Sequence, residues 1–304
     1  MHPAASVIVF TTLSGIGFGL IGWLGLGFGP SGHGFAWLSA FVSGFFVAVG
    51  LISSSLHLKR PDRAWRAFSQ WRSSWLSREG VLAIVTSAVY GLYALIWIFG
   101  GQRVLPLGIA AAVLSAMTVY STSMIYAQLR TVPRWATPLT SAYYLAFAVA
   151  GGALALAAIE GRVHSPVALF ALVALVLAWI IKFAWWQRAE RTSRASAGGS
   201  PEQATGLGRI GTVRQLEPPH TGPNYLMTEM MFVVARNRAR ALRMLAIVLG
   251  AIVPLLLVAL AVTQGAGPLV LVPALIIHLA GLMCERWLFF AQAEHVVGAY
   301  YGHR

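Results

Sequence analysis

Residues 243–263 read RMLAIVLGAIVPLLLVALAVT: one arginine, then twenty residues without a charge. A helix rises 1.5 Å per residue, so about 20 apolar residues cross the roughly 30 Å of bilayer hydrocarbon. Seven further stretches have the same character: 5–29, 35–57, 79–100, 106–128, 138–159, 165–186 and 268–290. Eight such stretches predict an all-α fold, a polytopic integral membrane helical bundle with eight transmembrane helices, built as a single membrane domain over 1–304. The first stretch lacks a basic leader region and a cleavage site, so it is expected to be retained as a span.

Composition supports this reading. Apolar and aromatic residues make up 58% of the 304-residue chain and charged residues only 10%, against about 25% charged in an ordinary soluble domain. So few charges cannot cover a soluble globule, which excludes a soluble enzyme, a disordered tail and a disulfide scaffold. The single Cys284 also excludes a cysteine-ligated iron–sulfur or zinc site within the chain.

The formal net charge of +13 would suggest nucleic acid in a soluble protein. Here its placement matters more than its size. Of the 22 cations, 18 fall in the connections 58–78, 129–137 and 187–242, the C-terminal tail or the boundary at Arg243. The opposite side holds only Arg103 and Arg162. By the positive-inside rule both termini are expected in the cytoplasm, with lipid, not nucleic acid, as the charge partner.

Two connections are distinctive. In 58–78, Trp65, Phe68, Trp71 and Trp75 recur near helical spacing with arginines between them, the pattern of a helix lying in the headgroup region. The connection 187–242 is long, basic and Pro/Gly-rich in its middle, with a helical pattern from about 224 to 242; it reads as a partner-docking segment. Near the N-terminus, Gly15, Gly17 and Gly19 lie inside a continuous apolar helix with no strand before them. That context excludes a nucleotide loop and predicts a small-residue packing face.

Ionisable groups at membrane depth are costly and mark function by default. His278 stands near the middle of the last span, as a bundle hydrogen bond or as half of a haem pair that lacks its second histidine at equal depth. Glu285 and Arg286 lie near the end of that span, with Arg286 long enough to snorkel outwards. His57 closes the second span and Glu79 opens the third, so adjacent antiparallel helices set them at matching depth. An imidazole and a carboxylate at the hydrocarbon boundary can accept the protons of a quinol as its electrons leave. The same two residues are also what an interface histidine and a helix-terminal carboxylate would look like.

Several motifs resemble a known family. Leu56-His57-Leu58, Pro61 with Arg63-Ala64, and Ser74-Trp75-Leu76-Ser77-Arg78-Glu79 are similar to the loop between the second and third helices of the DMSO reductase anchor subunits (DmsC). Thr131-Val132-Pro133-Arg134-Trp135 resembles that family's loop after its fourth helix, and Leu279-Ala280-Gly281 with Arg286-Trp287-Leu288-Phe289-Phe290 its last helix. The glutamate that follows Leu-Ala-Gly in the best-known members is Leu282 here, with Glu285 about one turn later.

The resemblance implies a membrane anchor of anaerobic respiration that binds menaquinol or another quinol and passes its electrons to a partner iron–sulfur subunit. A molybdopterin subunit then acts on the terminal substrate, and the anchor carries no metal or haem of its own. Carried over residue by residue, the family's quinol-site histidine and glutamate fall on His57 and Glu79, with Arg63, Trp65, Trp71 and Arg286 shaping the site. The competing class is a secondary transporter of a small solute, which predicts internal repeats and polar sites at the midplane.

Overall fold

The computed structural model describes residues 4–55, 61–162, 166–192, 200–214, 216–217, 238–265 and 267–296. Among these residues, eight helices are long and apolar enough to cross a membrane: α1 (Ala5–Gly25), α2 (His33–Ser55), α3 (Trp75–Gly100), α4 (Leu105–Ala127), α5 (Pro138–Glu160), α6 (Pro166–Arg191), α7 (Ala239–Gln264) and α8 (Pro268–Ala291). No strand occurs among the described residues, and the all-α bundle expected from the sequence is the fold observed.

Two boundaries differ from expectation for identifiable reasons. The first span stops at Gly25 rather than near 29, because Gly27 and Gly29 both take φ of 87°, where only glycine is at ease. Helix α3 begins at Trp75 rather than 79, capped by the Ser74 side chain, which accepts from the Ser77 N–H. Glu79 therefore sits one turn inside its helix instead of opening it.

Helix α1 lies between α2, α4 and α5; α5 also carries α6 and α8, while α3 packs on α4. Small residues allow these approaches. A Cβ at Gly19 would overlap the Ala148 carbonyl of α5, and Gly17 faces Val47 of α2. Gly15 departs from the predicted face: a Cβ there would meet nothing within 4 Å.

Helix α7 contains a π-helical turn at Val248–Ile252. Pro254 explains it, since a proline has no N–H for the carbonyl four residues earlier, here that of Gly250. The freed Gly250 oxygen accepts from Trp179 Nε1 at 2.9 Å and contacts His278 Nδ1 at 2.8 Å. His278 is thus the bundle hydrogen bond of the two readings, joining α8 to α7.

The segment Pro61–Gln70 is a 3₁₀ helix, tighter than the α-like spacing of its aromatics suggested. It is tied to the start of α3 by a hydrogen bond from Ser77 Oγ to the Ala67 carbonyl and by the Phe68 ring lying over Gly80. After α4, Trp135 Nε1 donates to the Phe289 carbonyl at 3.0 Å, and the Arg188 guanidinium donates to the Pro133 and Ala136 carbonyls. The Thr-Val-Pro-Arg-Trp loop thereby fastens the ends of α6 and α8. Of the expected 187–242 connection, the structure describes the end of α6, which runs on to Arg191, a short helix Pro201–Thr205, a 3₁₀ turn Leu207–Arg209 and the start of α7. The helical pattern expected over 224–242 falls outside the described residues as far as 237.

Candidate functional site

Alternating helix direction brings one end of every span to the same edge. At that edge Glu79 lies 4 residues into α3, Thr122 5 from the end of α4, Arg286 5 and Glu285 6 from the end of α8, and Lys182 9 from the end of α6. At 1.5 Å per residue these positions form one layer, about 6–14 Å in from the helix ends.

Two polar groups occupy the layer. In the first, Glu79 is 5% exposed, and Thr122 Oγ1 lies 3.5 Å from its Oε1 while donating to the Thr118 carbonyl at 3.0 Å. Among the described residues no cation pairs with Glu79.

In the second group, Lys182 and Arg286 both pair with Glu285: Lys182 Nζ with Oε1, and Arg286 Nη1 with Oε2 at 3.4 Å. All three side chains are buried. Aromatic faces replace water around the cations. Lys182 Nζ sits 4.0 Å from the Tyr143 ring centre and 3.9 Å from that of Trp185, and the Arg286 guanidinium 3.7 Å from that of Tyr144.

The residues singled out in the sequence do not all converge. His57 lies outside the described residues. Arg63 is exposed, 3.9 Å from Asp62, and Trp65 is also exposed. Trp71 lines a lipid-facing groove of about 440 Å³ with Trp75, Arg78, Leu82, Met117 and Tyr120. Arg78 braces that groove, lying 4.4 Å over the Trp75 ring and donating from Nε to the Trp71 carbonyl at 3.0 Å. Glu79 is not among the described residues that line the groove; further along the same two helices the Thr86 and Thr118 hydroxyls pair at 3.0 Å.

Arg286 does not snorkel; at 3% exposure it points into the bundle, towards Glu285. Lys182 is the residue that sequence reasoning misses. Its signal is present all the same, since a lysine inside a predicted span is an intramembrane charge that demands a partner.

Among the described residues, eight membrane-length helices thus bring a buried carboxylate without a cation and a Lys182–Glu285–Arg286 set into one layer near one edge of the bundle. The chain matches the family model described as DMSO reductase anchor subunit (DmsC) over residues 3–292, and it belongs to that family. It is 32% identical over 323 aligned positions to a sulfite dehydrogenase subunit of Allochromatium vinosum, an alignment that covers 99% of each chain. No solved structure matches it. The protein is therefore a multi-pass membrane subunit of the anchor type.

Proposed function

We propose that this anchor exchanges electrons between a membrane quinol and a partner iron–sulfur subunit of a molybdopterin oxidoreductase. The observation that carries the reading is Glu79: a buried carboxylate near the membrane edge whose nearest described polar contact is a single hydroxyl at 3.5 Å. A structural carboxylate at this depth needs a cation, whereas one that takes up and releases protons is better left without. Menaquinol or a related quinol gives up two electrons and two protons on becoming quinone. Glu79 accepts one proton and His57 holds or accepts the other. Trp71 and Trp75 shape a lipid-side groove along which an apolar tail can lie.

In this reading both electrons leave for clusters on the partners, which also hold the molybdopterin, and the chain itself carries no metal or haem. The arginine-rich edge and the 187–242 connection form the docking face, with the termini on the cytoplasmic side of the inner membrane. The relative's name is that of a dehydrogenase subunit, and in this chain the same site can serve the reverse flow, with quinone taking up electrons and protons. Membership of an anchor family favours this reading over a transporter.

The test uses the intact complex in membranes. Glu79→Gln and His57→Ala are expected to abolish quinol-dependent electron transfer while an iron–sulfur partner still copurifies. Wild-type quinol turnover in both variants would sink the assignment.

A further inference from the structure

Between the two polar groups lies a narrow pocket of about 10 Å³, bounded by α1, α4, α5 and α8. Thr12, Ser14, Thr122, Tyr144 and Arg286 are among its lining residues. Its volume suits one water molecule and no organic ring, because a water needs about 10–15 Å³ and two to four polar partners. Three of the lining side chains offer such partners. Thr12 Oγ1 (residue 2% exposed), the Tyr144 hydroxyl (residue 3% exposed) and Arg286 Nε (residue 3% exposed) have no hydrogen-bond partner among the described residues. Buried polar atoms left in that condition are costly, and a bridging water is the usual remedy. Thr122 lines the same pocket and touches Glu79, so the pocket is the meeting point of both groups.

We propose that this pocket is an internal water site, in which one water bridges Thr12 Oγ1 and the Arg286 guanidinium. Through Thr122 that water couples the Lys182–Glu285–Arg286 set to Glu79, which makes Thr12 and Arg286 positioning residues for the carboxylate. The coupling rests on the reading of Glu79 as a proton acceptor; the water site does not. The arrangement gives Glu79 a hydrogen-bonded neighbour on the interior side, away from lipid. It also ties the neighbour's orientation to a cation that two helices hold in place.

The experiment compares wild type, Thr12→Val and Thr12→Ser in the assembled complex. Density maps that resolve ordered waters are expected to show one water on Thr12 Oγ1 and Arg286, absent in Thr12→Val and restored in Thr12→Ser. Quinol-dependent kcat is expected to fall about threefold in Thr12→Val with KM unchanged, and to recover in Thr12→Ser. A pocket without water density in wild type overturns the site. Water that disappears in Thr12→Val with no change in kcat overturns the coupling. Wild-type turnover in Glu79→Gln, with the water still in place, overturns the functional reading and leaves the site standing.

Discussion

Glu79 and Glu285 are carboxylates in the same layer of the same bundle, at 5% and 0% exposure, yet their surroundings are opposite. Glu285 lies between Lys182 and Arg286, with aromatic rings closing over both cations. Glu79 has a hydroxyl at the limit of hydrogen-bond distance. Burial alone therefore does not mark a functional acid. A carboxylate held between two cations is fixed in place and ties α8 to α6. One that meets only a hydroxyl can change its charge without tearing helices apart.

The largest expected effect separates the two directly. Glu79→Gln keeps the shape and removes the exchangeable charge, so quinol-dependent kcat should drop about 10²–10⁴-fold, the usual worth of a positioned acid–base group. The thermal midpoint of the detergent-solubilised complex should stay within a degree or two of wild type. Glu285→Gln should do the reverse. It leaves Lys182 and Arg286 as two like charges in a dry core, a loss of about 3–5 kcal/mol that appears as a lower midpoint and poor assembly. A Glu285→Gln complex as stable as wild type, with quinol turnover lost, would invert the comparison.

Lys182→Met gives a smaller effect of instructive sign. The triad carries one net positive charge when all three groups are ionised, so removing Lys182 leaves the Glu285–Arg286 pair balanced. The cost is one ion pair and its contacts with Tyr143 and Trp185, about 1–2 kcal/mol. The check is the same thermal midpoint, with Lys182→Met falling between wild type and Glu285→Gln.

Much of this was legible from the chain. Eight apolar runs suffice for eight spans, because a backbone in lipid has little choice but to form helices. Glu79 was visible as an acid at a span boundary, and Gly19 as part of a packing face. What stayed hidden depends on rotation about helix axes and on distant partners. Trp75, Arg78 and Leu82 line the groove while Glu79 is buried on the same helix, a split set by the rotation of α3, and a start moved by four residues is enough to obscure it. Lys182 and Glu285 are 103 positions apart in the chain, so their meeting is a fact of tertiary packing. The π turn at Gly250 needed Pro254, Trp179 and His278 to be considered together, although the proline alone already announced a carbonyl in want of a donor.

The finest test of the comparison is Thr122→Val, which keeps the volume of the side chain and deletes the hydroxyl. Thr122 already donates to the Thr118 carbonyl at 3.0 Å, so its hold on Glu79 at 3.5 Å is the weaker half of a shared bond. Losing it should change kcat about fivefold, close to 1 kcal/mol, and leave assembly untouched. The effect is expected to exceed that of Thr12→Val, because Thr122 stands between Glu79 and the pocket while Thr12 lies on its far side. It should also vanish in a Glu79→Gln background, where the hydroxyl has no carboxylate left to serve. Fivefold losses that persist in that background would mean that Thr122 acts on helix packing, and Glu79 would then lie in the bundle without a described polar contact that matters to its chemistry.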